Sequence, residues 1–301
     1  MKHSLTLTIG IPAYNEEANI LQLIDDILNQ DYNGLTLEKV IVSSDASSDA
    51  TDELVRSYKD PRVILISNKV REGIAARLNQ IFDSSSTDCL VVMNADTRIK
   101  DAYFMQKITE PIKNSIDMTS VRIEEVVGES FLDTTLIFGM DIKRKIVESI
   151  RNGKNVYTCC GLARAFSKKL YCSMRFETSI GEDAFSYFYA EKHDFRYAYV
   201  KSTSVFYKIS SDFAQHQRQT HRFFESQKIM KKKFGERWVT DEYNIPLRSL
   251  THGIMWGMKT KPFLAILYIV YVFTACLSTL IRIGTIDQTW QIATSSKKVQ
   301  L

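Results

Sequence analysis

Over roughly the first 115 residues, short runs rich in β-branched and aliphatic residues alternate with amphipathic stretches. Residues 5–11, 39–42, 63–66 and 89–93 read as strands; residues 16–30, 49–58, 74–82 and 102–113 carry apolar positions at helical spacing. A strand–helix alternation of this kind predicts right-handed βαβ units and a mostly parallel sheet flanked by helices. In open sheets of that design a ligand is held at the carboxyl ends of the strands. Candidate chemistry should therefore lie in the turns that leave each strand.

The pattern changes near the carboxyl end. Residues 263–281 (FLAILYIVYVFTACLSTLI) hold 19 consecutive residues without a charge, which as a helix would measure about 28 Å, near the thickness of a hydrocarbon core. Lys259, Lys261 and Arg282 bracket the run, with Trp256 and Trp290 where interfacial aromatics would sit. The expectation is a transmembrane or interfacial helix over 262–283, preceded by an interfacial or linker helix over 241–261 and followed by a polar tail over 284–301. A buried core helix is the ordinary alternative. The amino end reads as the start of a strand rather than a signal peptide.

Charge follows the same division. From Pro246 onward six Lys or Arg stand against Asp287 alone, so of the net +4 the last 56 residues carry +5 and the first 245 carry −1. A near-neutral main body speaks against nucleic acid as a partner, and a basic, apolar tail points to a membrane. Apolar residues make up 45% of the 301, enough for a large core, while Pro and Gly are scarce and exclude collagen-like or linker-rich chains. Five Cys without a C-x-x-C pair argue for reduced thiols rather than zinc or disulfide scaffolds.

The four turns supply different groups. After the first strand, Pro12-Ala13-Tyr14-Asn15-Glu16 lacks the G-x-G-x-x-G of dinucleotide folds and offers an aromatic ring beside polar groups. After the second, Asp45 can accept from a base or ribose, whereas Asp49 is a natural helix cap. After the third, Lys69 and Arg71 precede a helix start suited to a pyrophosphate. After the fourth, Asn94-Ala95-Asp96 puts an acid where a hard cation could bridge phosphate oxygens. Any one of these is an ordinary turn, but together they form the inventory for a nucleoside diphosphate.

The order and spacing of IPAYNEE (11–17), VSSDASSDAT (42–51), NKVREGIAARLN (68–79), VVMNADT (91–97), GEDAF (181–185) and QTHRF (219–223) resemble the family-2 glycosyltransferases. The resemblance covers roughly residues 4–225. It implies an α/β, GT-A type fold: a Rossmann-like, mostly parallel central sheet flanked by helices, here with a carboxyl-terminal membrane-associated helical segment. It also implies a catalytic domain over 1–240. By this resemblance Pro12, Tyr14, Glu16, Asp45, Arg71, Asn79, Asn94, Ala95, Asp96, Gln219 and Arg222 would hold the donor nucleotide-sugar. Asp96 would bind Mg²⁺ or Mn²⁺, with the first acid of the family's D-x-D replaced by Asn94. Asp183 would be the catalytic base of an inverting transfer, with Glu182 orienting it or the acceptor, although acids at a helix N-terminus are also ordinary there. Phe223 stands where polysaccharide-forming members have Trp, which weakens a processive reading.

The expected function is inverting transfer of a sugar from a nucleoside diphosphate, UDP first, to a hydroxyl of a glycan or lipid-linked acceptor in cell-envelope or exopolysaccharide synthesis. The catalytic domain would sit on the cytoplasmic side of the cell membrane. The rival expectations are a polyprenyl-phosphate sugar synthase and an inactive nucleotide-sugar-binding partner of another membrane enzyme. The thiols of Cys159 and Cys160 read as buried and inert, and Gly161 as leaving room for a sugar ring.

Overall fold

The computed structural model describes residues 4–126, 130–177, 179–209, 213–281 and 299, with side chains throughout these ranges except at 213–217 and 275–281. The first half runs β1 (Leu5–Ala13), α1 (Ile20–Leu28), β2 (Leu35–Ser44), α2 (Thr51–Ser57), β3 (Val63–Ser67), α3 (Ile74–Asp83), β4 (Cys89–Met93), β5 (Thr97–Arg98), α4 (Phe104–Lys113) and β6 (Met118–Glu125). It continues through α5 (Phe131–Ser149), β7 (Ala163–Ser167), α6 (Lys168–Ser173), α7 (Glu182–Lys192) and β8 (Tyr197–Tyr207). Four helices follow: α8 (Phe213–Phe234), α9 (Glu236–Glu242), α10 (Leu247–Thr260) and α11 (Pro262–Ile281).

One eight-stranded sheet has the order β3-β2-β1-β4-β7-β6-β8-β5. The first four strands are mutually parallel, so the turns that follow them share one edge. β7 runs antiparallel between β4 and β6, and β8 returns parallel to β6. β4 is buried along its whole length, and β1 is buried from Leu7 to Ala13. A centre strand covered by helices on both faces requires this continuous apolar run.

The expected elements of the first half all form, with shifted ends. β2 begins four residues early because Leu35 and Leu37 are buried while Thr36 and Glu38 face out, an alternation that pairs with β1. α1 begins at Ile20 rather than Glu16. The carbonyl of Glu16 accepts from the Asn19 and Ile20 amides, and residues 14–19 are left as the turn after β1.

α5, α10 and α11 pack together around Phe138, Ile142, Ile146 and Ala265. Their approach depends on missing side chains: a Cβ at Gly253 would collide with Ile146, and one at Gly139 with the Tyr268 ring. Among the described residues no helix is long and apolar enough to cross a membrane, so the transmembrane reading of 262–283 has no support. One side of α11 packs on α5 and α10 and the other exposes Phe263, Ile266, Val270 and Phe273. Residues 282–283, and the tail 284–301 apart from Val299, lie outside the described residues.

Candidate active site

The turns after β1 and β2 are locked together. Ala13 pairs with Ser44 at the ends of the two strands, and the Asp45 amide donates to the Ala13 carbonyl at 2.8 Å. Asn15, at φ +53, donates its amide to Ser47 Oγ at 3.1 Å and accepts from the Ser48 amide at 2.8 Å. Tyr14 presents its ring beside this knot, and the Arg71 guanidinium lies 3.8 Å over the ring centroid. Nε and Nη2 of Arg71 are buried without a hydrogen-bond partner among the described residues. Burying an unpaired guanidinium is costly, and an anion in the neighbouring space would offset that cost.

Three expected donor residues turn out to have internal partners. Asp45 is fully buried and its two oxygens accept from the Glu72 amide at 3.0 Å and the Gly73 amide at 2.9 Å, with Arg77 Nε 3.3 Å away. Asp45 thus ties the turn after β2 to the start of α3. Asn79 donates to the Phe176 carbonyl and accepts from the Phe176 amide, both at 2.9 Å, which anchors the segment leading to α7. Glu16 is buried, with Oε2 accepting from Asn19 Nδ2 at 3.0 Å at the start of α1. Pro12 is buried at the end of β1, and Ala95 packs in the core, so Ala95 can offer a ligand little beyond its backbone.

The turn after β4 is held by its own groups. Thr97 Oγ1 donates to the Asn94 carbonyl at 2.7 Å, and the Asn94 amide donates to the Leu162 carbonyl at 3.1 Å. Asn94 Oδ1 is buried without a partner among the described residues. An amide oxygen and the Asp96 carboxylate are hard donors, and in that respect they fit Mg²⁺ or Mn²⁺. Among the described residues no group of three His, Cys, Asp or Glu side chains surrounds such a site. Diphosphate oxygens and water would have to supply the remaining ligands.

The same Leu162 contact carries the chain to the second acidic pair. Gly161 lies against α7, where a Cβ would come 2.8 Å from Glu182 Oε1. Gly181 adopts φ +71 just before α7, and a Cβ there would collide with Ser226 of α8, so glycine is required on both counts. Burial and the neighbouring Asp183 charge push the Glu182 carboxyl up to about 7, against the opposing charges of Arg164 and Arg222. Arg222 is therefore within electrostatic reach of Glu182, whereas Gln219 is exposed on the same helix. Phe223 stacks on Tyr157 with ring centroids 6.2 Å apart. Burial raises the Cys159 and Cys160 thiols to about 12, so both are protonated and inert near neutrality.

The fold thus gathers the turns after β1, β2, β3 and β4 at one edge and brings Glu182 and Asp183 up to them through residues 159–164. Two arginines that sequence reasoning passed over take part. Arg77 backs Asp45, and Arg164 sits under Glu182. The signal for Arg164 was present: a lone charge between apolar residues in the strand ARAFS.

Comparison with known proteins agrees with this geometry. The model described as "Glycosyl transferase family 2" matches residues 8–173. The glycosyltransferase GlyA of Streptococcus pneumoniae is 19% identical over 191 residues, covering 60% of this chain and 27% of that protein. The chain therefore spans only part of that curated relative. The mannosyltransferase PcManGT of Pyrobaculum calidifontis, solved with GDP-Man and Mn²⁺, superposes with a TM-score of 0.58 at 15% identity, covering 93% of this chain and 76% of that one. Glucosyl-3-phosphoglycerate synthase of Mycobacterium tuberculosis, solved with Mn²⁺, UDP and glucosyl-3-phosphoglycerate, gives 0.56 at 18% identity, covering 77% and 80%. These likenesses establish a shared GT-A type fold.

Proposed function

The chain belongs to glycosyl transferase family 2, and on that premise we propose that it transfers a sugar, with inversion, from a UDP-linked donor to a hydroxyl of a glycan or lipid-linked acceptor at a membrane surface. The observation that carries the reading is the half-buried Arg71 stacked on Tyr14 at the parallel edge, with Nε and Nη2 buried and without a hydrogen-bond partner among the described residues, beside the turn that holds Asp96. Such a pair suits a base or ribose next to a diphosphate. UDP and Mn²⁺ in the solved relative support the choice of nucleotide and metal.

In this mechanism Tyr14 and Arg71 hold the nucleotide, while Asn94 and Asp96 would hold a divalent cation beside the diphosphate. When bound, a divalent cation would offset charge gathering on the departing diphosphate. Asp183 removes the proton from the acceptor hydroxyl as that oxygen attacks the anomeric carbon on the face opposite the leaving group. A single displacement needs one base and no covalent intermediate. Arg222 adds positive charge on the side of Glu182.

Support for the membrane comes from the surface. Phe131 and Leu132 at the start of α5, Leu247 (74% exposed) and Met255 on α10, and Phe263 (64% exposed) and Phe273 on α11 are apolar and solvent-facing. Exposed Arg248, Lys259 and Lys261 lie on or beside the same helices. An apolar face edged by cations suits a helix pair lying in the headgroup layer of an anionic bilayer.

The test is turnover of a panel of nucleotide sugars by purified protein with glycan and polyprenyl-linked acceptors, followed by mass spectrometry and anomeric analysis. UDP release coupled to an inverted glycoside, abolished by Asp183→Asn with donor binding retained, is the expected result. A sugar phosphate product would make the enzyme a polyprenyl-phosphate synthase, and absence of turnover with every donor would leave a binding partner.

A further inference from the structure

Arg164 is the largest fully buried side chain among the described residues, 1% exposed in the middle of the sheet on β7. Its Nη1 donates to Ser186 Oγ at 2.8 Å and to the Glu182 carbonyl at 3.2 Å, and Nη2 stands 4.0 Å from Glu182 Oε1. Its Nε is buried without a hydrogen-bond partner among the described residues. The Phe166 and Phe176 rings flank the guanidinium, with centroids 5.7 Å and 5.9 Å from Cζ. A cation so deeply buried is normally matched by a close carboxylate. Here it meets a carbonyl, a hydroxyl and a carboxylate at arm's length, an incomplete pairing that packing alone does not explain.

The groups facing Glu182 can be named. Asp183 follows it on α7, Arg164 rises from β7, Arg222 approaches from α8, and the thiols of Cys159 and Cys160 lie on the segment before β7. The Tyr243 hydroxyl, beyond α9, bonds Ser226 and is within electrostatic reach of Asp183. Arg164 is the cation behind the pair and Arg222 the one on the α8 side. Because Nη1 grips the first turn of α7 through the Glu182 carbonyl and the Ser186 hydroxyl, the guanidinium also sets where that turn begins.

We propose that Arg164 is a positioning residue for the transfer reaction: it anchors the first turn of α7, and with it the Asp183 carboxylate that takes the acceptor proton, and supplies positive charge that opposes protonation of the adjacent Glu182. The inference rests on the assignment of Asp183 as base. It predicts that the charge of Arg164, and not only its volume, governs the acid side of the pH profile. With a unit charge removed about 4 Å from a buried carboxylate, a displacement of one pH unit or more is expected.

The experiment compares Arg164→Lys, Arg164→Gln and Arg164→Met with the unsubstituted protein in transfer assays from pH 5.5 to 8.5, alongside UDP affinity and melting temperature. Expected are a wild-type acid limb for the Lys variant, an acid limb raised by about one unit or more for the Gln and Met variants, and UDP affinity within about threefold throughout. If Arg164→Met folds poorly, the double variant with Glu182→Gln should recover melting temperature, since it removes the carboxylate left without its cation. An unmoved acid limb in a folded neutral variant overturns the proposal, as does a double variant no more stable than Arg164→Met. Asp183→Asn in the same assay separates the two ideas. If it stays active, the base assignment fails; if it is inactive while the neutral variants keep the wild-type profile, only the role of Arg164 fails.

Discussion

Replacing Asp45 with Asn exchanges one carboxylate oxygen for an amide nitrogen at constant shape, and so reports what the charge does. Both oxygens accept from backbone amides of Glu72 and Gly73, and the Arg77 guanidinium, 2% exposed, lies 3.3 Å from Oδ1. In the variant one amide faces an NH₂ donor, and Arg77 keeps the neutral Gln80 Oε1 at 3.4 Å and, as its charged partner, Glu72, whose side chain is 59% exposed. Breaking a buried pair by removing one partner costs about 3–5 kcal/mol, of which a surface partner returns no more than about 1. A loss of about 3 kcal/mol is expected in urea unfolding at pH 7, with an unchanged m value. The 72–73 turn follows directly on Arg71, so UDP affinity, measured by calorimetry well below the melting temperature, should fall by about tenfold, or roughly 1.4 kcal/mol. An Asp45→Asn protein of unaltered stability that binds UDP more than about a hundredfold more weakly would refute the reasoning. Asp45 would then touch the nucleotide, as the family resemblance implies, rather than hold the loop.

Three further outcomes are expected. Arg71→Met should weaken UDP by about 10- to 100-fold, the value of a charge-assisted contact, and leave uridine within about threefold; equal loss for both would assign Arg71 to the base. Asp96→Ala should remove both transfer and its stimulation by Mn²⁺, whereas full activity of the native protein in EDTA would rule out the metal role. Glu182→Gln should alter the pH dependence of stability. The Glu182 carboxyl is raised from 4.5 to about 7 by burial first and by Asp183 second, so the folded state holds that proton more tightly than the unfolded state. The resulting stability is complete below about pH 4.5 and lost as pH rises through 7, up to about 3 kcal/mol. Melting curves from pH 5 to 8 should lose that slope in the Gln variant, and an unchanged slope would place the titration elsewhere.

The parallel half was legible because β1, β4 and the second half of β2 are covered on both faces and must be apolar nearly throughout, while the edge strand β3 is marked by its β-branched run. The second half gave no such signal. β6 buries Thr119 and Ser120 with full coverage, and β8 interleaves polar residues with its buried Tyr197, Val200 and Val205, so neither forms a simple apolar run or clean alternation. The hydrophobic run at 263–281 was legible as apolar but not as membrane-spanning. Apolar length cannot distinguish a helix surrounded by lipid from one resting on Gly139 and Ile142 of its own chain.

By itself, the sequence determined the order of turns that carry Tyr14, Asp45, Arg71 and Asp96, because strand periodicity places turn residues at strand ends whatever the details of packing. It also identified the Glu182–Asp183 pair as a candidate. Only the tertiary structure decided which polar groups remain open to a ligand. Asp45 and Asn79 are engaged by backbone amides and carbonyls distant in sequence, while Arg71 and Asn94 keep buried polar atoms without partners among the described residues. The physical reason is that a side chain's hydrogen-bonding capacity is divided among neighbours brought in by the whole fold. For the same reason Arg164, an isolated charge in an apolar strand, acquires meaning only when α7 is laid across it.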